Sequence, residues 1–323
     1  MKSIALVTGG AGFIGGHLVS ALVRDGWHVR VLDDLSTGSP TNLAEVENEV
    51  EFVRGDIRDD EVLGRVTDGA QKVFHLAAVA SVERCLHEPV ETHDINATGT
   101  LQVLEAARNA GVSRVVFASS CAVYGDVGDD EAIESRPPSP ISPYALHKYA
   151  GEIYCRQYTQ LRGLDTAALR FFNVYGPRQD PASVYAAVVP RFAAACLAGE
   201  APTVHGDGEQ TRDLVMVEDV VRALRCAAEV PGAVGRVCNV GTGRRTSVNQ
   251  LLSKLLEITD ADVEPVHTPP RDGDLRDSVA SLVAAREYLE FEASVDLSLG
   301  LRRTVEAMVE KGERPGRAKG TES

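Results

Sequence analysis

The chain has 323 residues, 44% of them apolar and 25% charged, and its 33 basic and 47 acidic side chains give a net charge of −14. A chain of this length and composition buries a full core without a metal or disulfide staple, which excludes collagen, disorder and coiled coil. The acidity argues against a surface made to grip nucleic-acid phosphate or anionic lipid, although a local basic pocket can still hold one small anion.

Apolar runs alternate with segments of helical period through the first half. Ile4–Val7, Val29–Leu32, Glu51–Val53, Val73–Leu76, Val115–Ala118 and Ala167–Phe172 read as buried strands. Between the first two, Phe13, Ile14, His17, Leu18, Ala21 and Leu22 share one helical face. Strand–helix alternation with near-continuous apolar strands predicts an α/β fold, a doubly wound parallel sheet covered on both sides. Beyond residue 173 loops and helices take over, with Ser247–Ile258 and Leu297–Val309 amphipathic, Asp262–Asp277 irregular, and Val237–Val240 a late strand. We expect a cofactor domain over 1–172, joined by about 210–240. A smaller interleaved substrate lobe covers 173–209 and 241–312, and a disordered tail covers 313–323. The acidic stretch Asp126–Glu134 reads as a solvated loop. Neither a signal peptide nor a membrane span is expected, because the first apolar run ends in glycines. The six cysteines are never closer than twelve residues and form no ligand cluster, so no metal is expected and the thiols read as reduced and cytoplasmic.

The cofactor signals come first in the chain. Gly9, Gly12 and Gly15 follow the first strand and open the first helix in the spacing G-x-x-G-x-x-G. Such a turn lets a diphosphate approach the backbone at a helix N-terminus, where free N–H groups favour an anion. A glycine turn serving packing alone has the same appearance. Asp33 ends the second strand, where a carboxylate accepts adenosine ribose hydroxyls and repels a 2′-phosphate; with no arginine directly after it, NAD is preferred over NADP. Asp56 and Ile57 follow the third strand, where a carboxylate can meet the adenine amino group.

The reacting groups are placed at Tyr144 and Lys148, four apart at the start of a helix announced by Ser142-Pro143, and hence on one face. An ammonium beside a phenol stabilises the phenolate and makes it a base for a sugar hydroxyl. Pairs with this spacing also arise by chance in many helices. Ser120, ending the fifth strand, stands where strand ends face the ligand crevice.

Assembled in order, the motifs resemble the extended short-chain dehydrogenase/reductases, and among them the UDP-hexose 4-epimerases, over residues 1 to about 310. They are TGGAGFIG at 8–15, DDLSTG at 33–38, GDI at 55–57, HLAA at 75–78, SSCAVYG at 119–125, SPYALHK at 142–148, RFFNVYGPRQDP at 170–181, GDGEQTRD at 206–213 and Arg271–Asp274. The resemblance implies a Rossmann-type sheet, a resident NAD, a UDP-sugar substrate and a homodimer through helices near 97–110 and 144–162. It implies cofactor contacts from Phe13, Ile14, Asp34, Leu76, Ala77, Ala78, Asn96, Ser119, Tyr144, Lys148 and Phe172, in addition to the glycines, Asp33, Asp56 and Ile57. Asn173, Arg212 and Arg271 would hold the substrate diphosphate and Asp274 its ribose; the competing reading of Arg212 is a surface ion pair with Asp213. Tyr144, Lys148 and Ser120 would be catalytic, Ser120 and Tyr144 also touching the sugar.

Related reactions differ at few positions. Nucleotide-sugar 4,6-dehydratases resemble this chain but place an Asp-Glu pair where Cys121 and Ala122 stand, and UDP-glucuronate decarboxylases carry a Glu at the position of Ala122. Inversion at C4 through a 4-keto sugar needs neither acid. A UDP-glucuronate 4-epimerase is the alternative, and a nucleotide-sensing protein without chemistry the alternative of another class, although such a protein should have lost the Tyr/Lys pair. Glucose-only members carry a tyrosine at the position of Ser278, so a serine leaves room for an N-acetyl group. His147, inside the Tyr-x-x-x-Lys motif, reads as a surface residue.

Overall fold

The computed structural model describes residues 3–180, 188–270, 276–310 and 312. Seven strands form one sheet. Six come from the first half: β1 (Ile4–Thr8), β2 (His28–Asp33), β3 (Val50–Arg54), β4 (Ala70–His75), β5 (Arg114–Ser120) and β6 (Asp165–Phe171). Four short strands follow, β7 (Asn173–Tyr175), β8 (Thr203–His205), β9 (Thr211–Arg212) and β10 (Leu214–Met216); then β11 (Val237–Val240) returns as the seventh member. Two more, β12 (Thr246–Ser247) and β13 (Val266–Thr268), pair outside it. The order is β11-β6-β5-β4-β1-β2-β3, every pair parallel. Connections run outward in opposite directions from β1 and β4, so the carboxyl ends of these neighbours open the crevice in which such sheets bind ligands.

The helices are α1 (Phe13–Arg24), α2 (Asp60–Thr67), α3 (Val82–His87), α4 (Pro89–His93), α5 (Gly99–Asn109), α6 (Pro143–Leu161), α7 (Val188–Ala198), α8 (Val217–Glu229), α9 (Val248–Thr259), α10 (Val283–Leu289) and α11 (Leu297–Glu310). Leu18 and Leu22 of α1 and Val220 and Leu224 of α8 cover one face of the sheet with Val7 and Val31; Leu63, Val103, Leu104 and Cys155 cover the other with Leu6 and Phe117. Adjacent residues of β1 thus enter opposite layers, as a strand buried on both faces requires. A third core joins α7, α9 and α11 through Phe192, Leu251, Leu255 and Leu301. The parallel pair β7 and β10 is the seam between them. Leu214, Met216 and Tyr175 point into the third core, whereas Val215 and Val174 point into the first.

Several expectations are altered by tertiary context. The stretch 262–277 contains β13, parallel to β8, and Thr211–Met216 pairs with β12 and β7, so the return to the large sheet starts at α8. In the acidic loop Val127 and Ala132 are buried, Ala132 bridges Ala280, and Glu134 accepts the Asn239 backbone N–H; only part of it is solvated. His147 is not on the surface: it is 3% exposed, packed edge-on against His93. Arg271, Asp274 and the 313–323 tail lie outside the described residues. Among those described, no helix is long and apolar enough to cross a membrane and no cluster of His, Cys, Asp and Glu is arranged to hold a metal ion.

Candidate active site

The glycine turn is shaped by what presses on it. Gly9 adopts φ +70°, and a Cβ there would stand 2.7 Å from the Ala77 nitrogen; at Gly15 it would stand 2.1 Å from the Gly9 carbonyl oxygen. The chain leaving β4 and the first turn of α1 therefore close onto bare backbone. Gly12 caps α1 without a side-chain hydrogen bond, and no acidic residue occupies the first turn. That leaves N–H donors and a positive dipole end for an anion. A cleft opens beside it, lined by Gly9, Gly12, Asp33, Asp34, Asp56, Ile57, Leu76, Ala77 and Ala78 among others. Asp33 is held by the N–H groups of Ala11 and Leu35, both at 2.9 Å, while burial pushes its carboxyl up. The glycine turn and an acid at the end of β2 fit NAD: α1 would hold the dinucleotide diphosphate and Asp33 the ribose.

The remaining cofactor candidates stand behind this wall or beside it. Asp56 is clasped by Arg58, with Nη2 to Oδ2 at 2.6 Å, and that guanidinium, which also reaches Asp94, holds its carboxyl low. Asn96 is buried, accepting from the Val79 N–H at 2.7 Å and donating to the Val79 carbonyl at 2.9 Å, so it fixes the segment that carries Ala77 and Ala78. Ile14 packs on the first core, Phe13 lies edge-on to His17, Phe172 packs against Tyr124, and the Ser119 hydroxyl turns inward to Glu152.

Ser142 caps α6 by accepting the Ala145 N–H, and Pro143 fills its first position, which places Tyr144 on the opening turn. Gly151 lets the helix close on the sheet: a Cβ there would stand 2.4 Å from the Phe117 ring. Lys148 consequently reaches the Ala118 carbonyl at 2.7 Å, 5.8 Å from the centre of the Tyr144 ring. Burial draws the ammonium down to about 8 and pushes the phenol up to about 12, while a hydrogen bond from Ser120 pulls the phenol back. Tyr144, Lys148 and Ser120 are thus brought together at the carboxyl end of β5.

Residues far apart in sequence meet across the cleft. Cys121, near Ser278 and with its thiol pushed up to about 11 by burial, lies close to Arg212 and Asp213. Asp213 is completely buried and turned inward, accepting from the Thr242 N–H at 2.7 Å, the Thr242 hydroxyl at 2.7 Å, the Gly243 N–H at 2.9 Å and the Ala280 N–H at 3.1 Å. It is therefore no surface partner for Arg212, whose guanidinium donates to the Thr211 carbonyl. The Asp213 carbonyl takes the Asn173 N–H at 3.0 Å and its side-chain amide at 3.3 Å. One residue thereby joins the segments carrying Asn173, Arg212 and Ser278. Sequence reading missed Asp213 because an acid beside an arginine looks like an ion pair. It also missed Gly151 and Glu152, whose signal was a small and an acidic residue on the inner face of α6.

Comparison with known proteins agrees with this geometry. Residues 5–241 match the model of the NAD dependent epimerase/dehydratase family. A protein of Mycolicibacterium smegmatis named UDP-glucose 4-epimerase is 44% identical over 312 residues, 95% of this chain and 99% of that one. The Thermotoga maritima UDP-glucose 4-epimerase, solved with UDP-glucose, superposes with TM-score 0.91 at 42% identity, covering 95% of this chain and 99% of its own. A Methanobrevibacter ruminantium UDP-N-acetylglucosamine 4-epimerase, solved with UDP-N-acetylmuramic acid, gives 0.92 at 36%, covering 96% and 100%. The family match over residues 5–241 and the relative at 44% identity show that this chain belongs to the NAD dependent epimerase/dehydratase family.

Proposed function

We propose that the protein is an NAD-dependent UDP-sugar 4-epimerase. It inverts C4 of UDP-glucose and UDP-galactose, and of UDP-GlcNAc and UDP-GalNAc, through a transient 4-keto sugar. The observation that carries this reading is the Tyr144 phenol beside Ser120, with the Lys148 ammonium 5.8 Å from its ring centre, at the carboxyl end of β5. Bound NAD supplies a hydride acceptor and donor and, when oxidised, a positive charge that favours phenolate. Tyr144 takes the C4 hydroxyl proton and returns it after the sugar has turned its other face, Ser120 holds that oxygen, and Lys148 keeps the phenolate stable. Only a thiol held protonated and a methyl group stand at Cys121 and Ala122, so no acid is available for dehydration. Arg212 and Asn173 would hold the substrate diphosphate, Arg212 by a charge-assisted bond.

Incubation with UDP-glucose and, separately, UDP-GlcNAc should yield both 4-epimers without net formation of reduced cofactor, and denaturation should release NAD. No epimer from either sugar, even with NAD added, would overturn the reading and make UDP-glucuronate the next substrate to try. The sugar range rests on Ser278, which faces Cys121. Ser278→Tyr should suppress turnover of the N-acetylated pair roughly tenfold or more while sparing the glucose pair, since a filled pocket rejects the larger substituent. We further assign a cytoplasmic homodimer through α5 and α6. Support for the dimer comes from α6, whose apolar side chains Leu146 and Leu161 are 52% and 77% accessible.

A further inference from the structure

A buried charge pair lies behind the reacting groups and touches neither the cofactor cleft nor Ser278. Glu152 and Arg170 are 4% and 3% exposed. Arg170 donates through Nε to Oε1 at 2.8 Å and through Nη2 to Oε2 at 2.7 Å, and the Ser119 hydroxyl donates to Oε1 at 2.5 Å. Its Nη1 meets no acceptor; instead the guanidinium lies 4.4 Å from the Tyr124 ring centre, and that phenol donates to Asn239. Two ions removed from water cost more than their attraction commonly returns, and apolar residues of similar volume fill such a site at least as well. Stability alone is therefore a poor account of them.

Their location supplies a better one. Glu152 stands one turn beyond Lys148 and two beyond Tyr144, on the sheet-facing side of α6. Ser119 immediately precedes Ser120 and is in register with Arg170 across β5 and β6. At this level α6 meets the sheet through Gly151 against the Phe117 ring, and its directional bonds are those of Glu152, added to the bond from Lys148 to the Ala118 carbonyl one turn earlier. We propose that Glu152 and Arg170 are a positioning pair, fixing the height and rotation of α6 so that Tyr144, Lys148 and Ser120 keep their mutual distances. This rests on Tyr144 being the base of the proposed reaction. The titratable groups facing Tyr144 are Lys148 on its own helix, Cys121 after β5 and Cys85 of α3.

The test compares the wild-type holoenzyme with the Glu152→Met/Arg170→Met double variant. It measures melting temperature, retained NAD, the pH profile of UDP-glucose turnover, and alkaline titration of the Tyr144 phenol by difference against matching Tyr144→Phe proteins. The double variant should melt near the wild type and keep NAD. Its kcat should fall about tenfold to a hundredfold with KM nearly unchanged, the loss expected of reacting groups displaced by a fraction of an ångström to about an ångström. The acid limb of the profile and the Tyr144 titration should both move to higher pH. A kcat that is retained or that falls only in step with melting temperature, with both titrations unmoved, would overturn the proposal. Should the double variant not fold, Ser119→Ala removes a single bond to Glu152; it should move the same titrations less, and no movement counts against the pair. Absence of turnover in the wild type itself would sink the epimerase reading, whereas the phenol titration decides the positioning role without turnover.

Discussion

The two walls of the cleft are built on different principles. The cofactor wall is local: a glycine turn, the end of β2 and the chain leaving β4 present backbone and one carboxylate, and each comes from a short continuous motif. The sugar wall we propose comprises Asn173, Arg212 and Ser278, more than a hundred residues from first to last, whose segments are joined at Asp213. A dinucleotide common to many reactions can be met by local backbone geometry, whereas substrate choice needs side chains drawn from several elements and locked by a buried hub. The Tyr/Lys helix stands where the two walls meet.

The largest effect expected is at that junction. Tyr144→Phe keeps the ring that packs beside Lys148 but removes the hydroxyl, so kcat should fall by about 10³-fold or more, within or above the usual range for losing a general acid–base group. NAD content and UDP binding, measured by extraction and calorimetry, should stay near wild type. Turnover within tenfold of wild type would show that the base lies elsewhere.

Asp213 offers the next test, because it should act on one wall only. Asp213→Ala leaves the Gly243 and Ala280 N–H groups and the Thr242 N–H and hydroxyl without their acceptor inside the protein, which destabilises by several kcal/mol unless water enters. Asp213→Asn keeps one of the two acceptor oxygens and sets an NH2 against the other donors, a smaller loss, and is the milder probe. Its KM for the UDP-sugar should rise about tenfold, equivalent to about 1.4 kcal/mol of substrate binding, with retained NAD unchanged. Loss of NAD at the same substitution would mean that the two walls are not independent.

The asymmetry also sets what could be read from sequence. The apolar runs located the strands of the large sheet, because strands buried on both faces have little freedom in composition, and β11 was legible for the same reason; β3 was located but is not buried, since it forms the sheet edge with Phe52 exposed. The seam at β7 and β10 was not. Three residues each, alternating between two cores, leave no periodic signature distinguishable from a loop. At the site, Gly9, Gly12, Gly15 and Asp33 carry their reasons in their spacing. Arg212 and Ser278 acquire a role only from a resemblance or from coordinates, since nothing near Ser278 in sequence announces Cys121 as its neighbour. His147 misled because a polar side chain in this motif looks solvent-facing, whereas it stands four before Gly151 on the buried face of α6 and packs against His93 of α4.

The smallest effect concerns the cofactor wall and acid. His75 lies wholly within the protein between two hydroxyls, Thr8 Oγ1 to Nδ1 at 2.7 Å and Thr100 Oγ1 to Nε2 at 3.0 Å. The Thr100 hydroxyl donates to the Asn96 carbonyl at 2.6 Å, so it accepts from Nε2–H, and Nδ1 accepts from Thr8; the imidazole is neutral in this chain. Burial draws it down to about 3, against 6.5 in an unfolded chain. A folded pKa below the unfolded one gives stability that is present above pH 6.5 and is lost as pH falls toward 3, since only the unfolded state then takes the proton. At pH 5 the loss from this residue is about 2 kcal/mol. His147, drawn down to about 4 by burial, adds a loss of the same sign. Denaturant melts between pH 7 and 5 should therefore show falling stability, and His75→Gln should make that slope shallower whatever it does to stability at pH 7. Because Asn96 and Thr8 also brace Val79 and Ala77, acid should release NAD before it weakens UDP-sugar binding in the holoenzyme. The reverse order would place the acid-sensitive element in the sugar wall instead.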